Sequence, residues 1–177
     1  MAQIKYQIDP VHSAAHFSVR HMMISNVRGE FTKLTGVIGY DPSDPADSEV
    51  DVNIEVASIN TRDKDRDAHL RSADFFDAER FPQIRFRSKE VLSKNGDLKV
   101  RGDLTIRDVT REIVLDVDGP TAETKDPWGN LRIGATASAK LNRKDYGLTW
   151  NAALETGGVL VGEEIKITLD IEAIRQS

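Results

Sequence analysis

Apolar and polar residues alternate along most of this chain, and this period-two pattern is typical of β-strands with one buried and one exposed face. The clearest runs are residues 50–56, 98–106 and 165–171, where nearly every second residue is Val, Ile or Leu. Further runs cover residues 4–8, 17–20, 27–31, 34–40, 84–87, 113–117 and 131–141. We predict eight or nine strands.

Turn signals separate these runs at short intervals. Asn95-Gly96 is a strong hairpin signal, and a tight turn is expected at residues 108–110. Longer loops with prolines occupy residues 41–48 and 119–130, and residues 142–162 follow no regular pattern. Many short alternating strands with turns between them predict a single all-β domain over residues 1–177, either a sandwich or an antiparallel barrel.

One segment, residues 61–82, departs from the strand pattern. It is charged at its start, and Thr61 can cap a helix whose first turn contains Asp63. Ser72 can cap a second turn, and Pro82 ends the segment. We therefore predict a short helical insertion with two halves. The charged half, residues 62–71, lies at the surface or contacts the polar group of a ligand, and the aromatic half faces the core or an apolar ligand through Phe75, Phe76 and Phe81.

The inward-facing rows contain several small residues: Gly36, Gly102, Ala135, Ala137 and Ala139. An eight-stranded barrel is either just filled by side chains or holds one small ligand. Bulky neighbours such as Phe86 or Trp150 would fill the space beside the alanines. The other interpretation is an apolar cavity with the aromatic half of the insertion near its mouth, which would suit an apolar ligand.

Charge and composition exclude several classes of protein. The net charge is −5, and Lys and Arg are spread along the chain, so we expect no nucleic-acid partner. There is no cysteine, which excludes disulfides and thiolate metal sites. No apolar N-terminal region resembles a signal peptide. We expect a soluble cytoplasmic protein, or a periplasmic one if an export signal was removed.

Metal and catalytic candidates are weak. His12 and His16 would share one face of a strand but lie roughly 13 Å apart, too far for one ion; only a helical turn would bring them together. Ser13 and His12 are neighbours on opposite faces and cannot easily form a nucleophile–base pair. Residues 63–67 alternate Asp with Lys or Arg but lack the glycine and glutamate of a calcium loop. We predict no metal site and no catalytic residue.

Five stretches resemble the YceI-like family of polyisoprenoid-binding, lipocalin-like proteins. They are residues 9–22, 27–38, 56–82, 102–117 and 142–148, and the string RDAHLRSADFFD within the third is specific. The resemblance implies an antiparallel eight-stranded barrel that holds a long isoprenoid, such as a prenyl quinone or polyprenyl phosphate. It implies no catalysis and no cofactor beyond that lipid, and it suggests a homodimer with transient membrane contact. The family often has Gly where this chain has Asp108, which tolerates a left-handed turn.

The alternation and the insertion together predict the residues that contact the ligand. These are Phe17, Val19, Phe31, Ile38, Val52, Ile54, Leu70, Phe75, Phe76, Phe86, Leu104, Ala137, Tyr146 and Trp150. The candidates for binding a polar head group are His16, Arg20, Arg66 and His69. Two alternatives remain open: an enzyme that acts on a lipid or quinone, and a filled structural or stress-related interaction barrel.

Overall fold

The computed structural model describes residues 3–151 and 160–176. These residues form twelve β-strands, one α-helix and two 3₁₀ turns. The strands are β1 (Ile4–Ile8), β2 (Ala14–His21), β3 (Ser25–Phe31), β4 (Leu34–Tyr40), β5 (Glu49–Glu55), β6 (Ile59–Asn60), β7 (Gln83–Lys94), β8 (Asp97–Ile106), β9 (Val109–Asp118), β10 (Thr124–Lys125), β11 (Leu131–Asn142) and β12 (Val161–Arg175). The α-helix is α1 (Lys64–Arg71), and the 3₁₀ turns are Val56–Ser58 and Arg143–Tyr146.

Eight strands close into an antiparallel barrel. The sheet runs from β11 through β9, β8, β7, β5, β4 and β1 to β12, and the pairing of β12 with β11 closes it. β1 and β2 pair with successive parts of the same edge of β12. β3 pairs with β2 and β6 pairs with β3, so these three strands extend the wall beyond β1. The predicted all-β barrel with one short helical insertion is confirmed, and the sandwich is excluded.

The two ends of the barrel differ. At one end β5 leads into residues 61–82, which we call the cap segment, and β8 turns into β9. We call this the capped end. The hairpin from β7 to β8 and the loop of residues 41–48 lie at the opposite end, the far end. The closed wall and its two end segments therefore enclose an interior.

The helix of the cap segment begins later than the sequence suggested. Asp63, not Thr61, is the N-cap residue, and its carboxylate accepts a hydrogen bond from the backbone N–H of Arg66 at 3.0 Å. The backbone N–H of Thr61 instead donates to Asp67 at 2.8 Å, and its hydroxyl donates to the same carboxylate. Both Thr and Asp can cap a helix, but Thr61 is hydrogen-bonded to Asp67 and does not cap this one.

Two turns test the local predictions. Asn95 and Gly96 join β7 to β8 with φ values of 53° and 84°, which confirms the predicted hairpin. In the turn from β8 to β9, however, Arg107 and not Asp108 has the positive φ, at 57°. The pairing of Ile106 with Val109 leaves Arg107 and Asp108 as the central pair. The expected turn is therefore present, but it lies at residues 107–108 rather than 108–110, and its left-handed residue is Arg107 rather than Asp108.

Buried apolar side chains from the strands and the cap segment form the core. Its largest fully buried side chains include Tyr6, Ile8, Leu34, Val52 and Tyr146. Residues 142–162 were predicted to be irregular. Residues 142–151 of this stretch form the turn at Arg143–Tyr146 and the chain after it, and β12 begins at Val161. Residues 152–159 lie outside the described residues. Within residues 3–151 and 160–176, no helix has the length and apolar character needed to cross a membrane.

Candidate functional site

Among the described residues, two cavities in the barrel have walls that expose only apolar atoms. The capped-end cavity has a volume of about 140 Å³, and the far-end cavity has a volume of about 90 Å³. Four residues line both of them: Val52, Phe86, Leu115 and Leu169. The barrel is therefore hollow at two adjoining places, and these four side chains, which we call the partition residues, border both of them.

Most of the predicted contact residues surround these cavities. The capped-end cavity is lined by Phe17, Val19, Phe31, Val52, Ile54, Leu70, Phe75, Phe76, Phe86, Leu104 and Tyr146. Ile38 and Ala137 line the far-end cavity instead. Trp150 lines neither, but its ring packs against Phe75 with centroids 5.4 Å apart. The structure brings these side chains together, and their contact with a ligand stays a prediction.

An aromatic cluster closes the capped end. The ring of Phe31 lies 5.6 Å from those of both Phe17 and Phe76, and the contact with Phe76 is edge-on. The ring of His69 is edge-on to Phe75 at 5.1 Å and to Trp150 at 4.6 Å. Phe75 and Phe76 thus attach the cap segment to the barrel wall through well-packed rings.

Phe81 does not belong to this cluster, although the sequence placed it in the interior-facing half. It is half-buried, and the guanidinium groups of Arg80 and Arg107 lie 5.1 and 5.7 Å from its ring centroid. Phe81 does not line the capped-end cavity. Its aromatic face is covered by cations from the cap segment and from the turn between β8 and β9, a favourable contact for an aromatic ring.

The four head-group candidates direct their polar atoms elsewhere. His16 borders the capped-end cavity, but its ring nitrogens face the carboxylates of Glu30 at 3.8 Å and Asp170 at 3.2 Å. Arg20 is exposed and donates to the carbonyl of Met23 at 3.3 Å. The remaining two candidates bind within the cap segment: Arg66 donates to Thr61, and His69 pairs with Asp74. None of the four places a polar atom on a cavity wall.

Arg143 is a buried residue that sequence reasoning missed. It lines the capped-end cavity, is only 3% exposed, and donates from its guanidinium to four backbone carbonyls. These belong to Leu148 at 2.6 Å, Gly162 at 2.8 Å, Trp150 at 2.9 Å and Val161 at 3.3 Å. Burial lowers the pKa of Arg143 from its ordinary value. Its position in the NRKDYGL stretch was the only signal, because an arginine is normally expected at the surface.

Tyr146 carries the one buried, unpaired polar atom among the described residues that line the cavities. The residue is 2% exposed, and its hydroxyl has no hydrogen-bond partner in the described part of the chain. Burial raises the pKa of Tyr146 to about 12, with a further contribution from the charge of Asp145. The phenol is therefore a neutral donor at physiological pH.

One group of potential metal ligands forms among the described residues, away from the cavities. His12 Nδ1 lies 2.8 Å from Asp9 and 3.3 Å from Glu172. Arg132 supplies a cation to the same place, with Nη1 at 2.8 Å from Asp9 and 3.0 Å from Glu172. This arrangement is an ion-pair network built around a guanidinium, and His16 takes no part in it.

Comparison with known proteins gives a consistent result over almost the whole chain. The family model of the YceI-like domain matches residues 6–173. The UPF0312 protein SA2479 of Staphylococcus aureus (strain N315) is 35% identical over 167 residues, which cover 94% of this chain and 95% of that protein.

Two solved structures extend the comparison to the fold. The Campylobacter jejuni YCEI protein is 32% identical, superposes with a TM-score of 0.74, and is matched over 89% of this chain and 90% of its own. A polyisoprenoid binding domain from Saccharophagus degradans, implicated in plant cell wall breakdown, is 17% identical with a TM-score of 0.71. That match covers 98% of this chain and all of the neighbour, and at this identity it supports the fold alone.

Proposed function

This chain belongs to the YceI-like domain family, and on that premise we propose that it binds a long-chain isoprenoid without catalysing a reaction. The ligand is a prenyl quinone or a polyprenyl phosphate that the barrel stores or transports. The observation that carries the proposal is the pair of adjoining cavities with wholly apolar walls inside a closed barrel. The ligand class is proposed by analogy with the S. degradans domain, which has the same fold and is described as polyisoprenoid-binding.

The cavity volumes constrain how such a ligand is held. The capped-end cavity, at about 140 Å³, is close to the ~150 Å³ of an engineered apolar cavity that stays dry and binds benzene. A tail of tens of carbons needs more room than either cavity supplies. We therefore expect the ligand to span both cavities and to displace the partition residues, Phe86 first among them.

Selectivity has to come from shape and from the head group. Burying one CH₂ group from water is worth about 0.8 kcal/mol, but the ligand comes from a membrane that is as apolar as the barrel. Transfer of the tail is then close to neutral in free energy. Acid–base and nucleophilic catalysis need a polar group placed against the reacting atom, and the apolar cavity walls favour a binding role over an enzymatic one.

Extraction of the purified protein into organic solvent, followed by mass spectrometry, tests the proposal. We expect an isoprenoid in the extract. Ala137→Phe, which places a ring in the far-end cavity, should lower the amount retained, whereas Ser138→Phe on the neighbouring exposed position should not. The proposal fails if the extract is clean and added prenyl quinone and polyprenyl phosphate do not bind. Turnover of an added quinone would instead favour an enzyme.

We also propose that the tip of the hairpin from β2 to β3 contacts a membrane. Met22, Met23 and Ile24 are 42%, 57% and 75% exposed, an apolar run that a surface turn seldom leaves in water. A carrier of a membrane lipid has to reach the bilayer to exchange it. Ile24→Asp should reduce flotation with anionic vesicles, and unchanged flotation would exclude this contact. The homodimer and the cytoplasmic location stay predictions.

A further inference from the structure

The charged and polar groups that border the capped-end cavity indicate which head group the proposed ligand carries. A phosphate brings one or more negative charges into the protein, and a buried charge is very costly unless a cation or several donors compensate it. The only guanidinium that borders this cavity among the described residues is that of Arg143. This guanidinium donates to four backbone carbonyls, and none of the described residues exposes a polar atom on the cavity wall.

Several other cations near the capped end already have partners. Arg66 donates to Thr61, and Arg107 covers Phe81 while donating to the carbonyl of Gly147. His16 and His69 each pair with carboxylates. A phosphate inside the cavity would have to break these contacts before it met a cation. The cavity therefore favours a head group without charge.

Tyr146 supplies what an uncharged head group needs. Its hydroxyl is buried without a hydrogen-bond partner in the described part of the chain, so no described protein group competes with a ligand for this donor. The turn at Arg143–Tyr146 holds the residue in place: the Asn142 side chain caps the turn, and the left-handed Gly147 ends it. The ring of Tyr146 lines the capped-end cavity while its hydroxyl lies just beneath the apolar wall, so a ligand has to widen the cavity beside the ring to reach the hydroxyl.

We propose that Tyr146 determines head-group specificity by donating a hydrogen bond to a carbonyl oxygen of an uncharged prenyl quinone. The quinone ring then lies at the capped end, and the tail passes Phe86 into the far-end cavity. The inference rests on the proposed function and narrows it, because it selects the quinone over the polyprenyl phosphate. The phenol stays protonated at neutral pH, since burial raises the pKa of Tyr146 to about 12.

Tyr146→Phe tests this role, because it removes the hydroxyl and keeps the ring. The probes are a prenyl benzoquinone, the hydrocarbon squalene, which has no acceptor, and a polyprenyl phosphate of similar length, each titrated into delipidated protein. We expect the variant to lose roughly three- to tenfold in quinone affinity, the range of one neutral hydrogen bond, and to bind squalene as the wild type does. Its melting temperature without ligand should equal or exceed that of the wild type.

Tyr6→Phe is the matched control, because it removes a phenol hydroxyl that lies outside both cavities and donates to Glu123, and it should leave quinone affinity unchanged. The inference is overturned if Tyr146→Phe binds the quinone as well as the wild type, if it loses quinone and squalene equally, or if the wild type prefers the phosphate. In all three cases the wild type still binds an isoprenoid and the proposed function stands. A wild type that binds none of the three probes refutes both proposals.

Discussion

At the scale of single residues, the wall of the capped-end cavity depends on a close approach between a ring and the backbone. Gly29 lies opposite Phe17 in the pair of β2 and β3, and the Phe17 ring folds over it. A Cβ at position 29 would lie 2.5 Å from Phe17 Cζ and 2.8 Å from Thr61 Cγ2. Only glycine leaves room for the ring in this position.

Gly29→Ala should therefore destabilise the protein by about 1–3 kcal/mol, the usual cost of overpacking, and should displace Phe17 from the cavity wall. Urea denaturation measures the change in the free energy of unfolding. Gly134→Ala is the control, because its new Cβ would meet no atom closer than 3.6 Å and should change stability by less than about 0.5 kcal/mol. Equal effects of the two variants would contradict the packing argument.

Arg132 is a second single residue with a large effect, because its charge lowers the pKa values of two carboxylates. It donates to Asp126 at 2.7 Å and to Asp9 at 2.8 Å. Burial alone would raise the pKa of Asp9, but hydrogen bonds from Arg132 and His12 outweigh it and hold this pKa at about 2. The hydrogen bond from Arg132 likewise lowers the pKa of Asp126 to about 2. Depressed carboxylate pKa values stabilise the fold above the unfolded value and cease to do so below the folded one.

Arg132→Gln should therefore be less stable than the wild type at pH 7, and the difference should shrink as the pH falls from about 4 to about 2. Urea midpoints measured in steps of one pH unit between 6 and 2 follow this change. Lys99→Gln removes an exposed ion pair with Asp116 and should have little effect at any pH. A difference for Arg132→Gln that persists unchanged at pH 2 would contradict this explanation.

At the scale of elements, the cap segment is attached by its aromatic half. None of the residues of α1 is buried, so the helix contributes little to the core. Phe75 is buried, and Phe76 packs edge-on against Phe31. The charged half is organised locally, through the bonds among Thr61, Arg66 and Asp67.

Phe75→Ala and Phe76→Ala should each loosen the cap. We expect a loss of about 3–5 kcal/mol for buried Phe75, less for the half-buried Phe76, and faster release of bound isoprenoid from both variants. Phe81→Ala is the control within the same segment, because Phe81 lies outside the cavity and its cation–π contacts are worth about 0.5–1 kcal/mol. Thermal unfolding and a lipid-retention assay measure both effects. If stability and retention are unchanged in both variants, the cap segment is not the lid.

At the scale of the whole molecule, the partition between the cavities decides how long a ligand fits. Phe86 is buried and borders both cavities, and the backbone at Gly102 leaves space for its ring, since a Cβ there would lie 2.7 Å from Phe86 Cζ. We expect this ring to separate the two cavities, each of which is too small for a long tail. A ligand that enters from one end has to move it.

Phe86→Ala should join the cavities at a cost of about 3–5 kcal/mol in stability. Long-chain prenyl quinones should bind faster than to the wild type, and short-chain quinones should bind at the same rate. Stopped-flow quenching of tryptophan fluorescence measures these rates. Val91→Ala also removes buried volume but borders only the far-end cavity, so it should leave the ratio of the two rates unchanged. A similar ratio in Phe86→Ala and the wild type would refute the partition.

Local sequence patterns determined much of this protein. The two-residue period determined the strands and the inward side chains, because in a strand it depends only on the nearest neighbours along the chain. Asn95 and Gly96 determined a hairpin through their tolerance of positive φ. Local reasoning was wrong where two neighbouring residues could play one role: Thr61 and Asp63 for the helix cap, Arg107 and Asp108 for the left-handed turn.

Tertiary structure alone decided what depends on contacts between distant parts of the chain. The pairing of β11 with β12 closed the barrel, and carbonyls from two separate stretches buried Arg143. Arg132 meets Asp9 across 123 positions, which no local period encodes. The same holds for the unpaired hydroxyl of Tyr146: residue type shows that a phenol can donate, but only the packing of all its neighbours decides whether it has a partner.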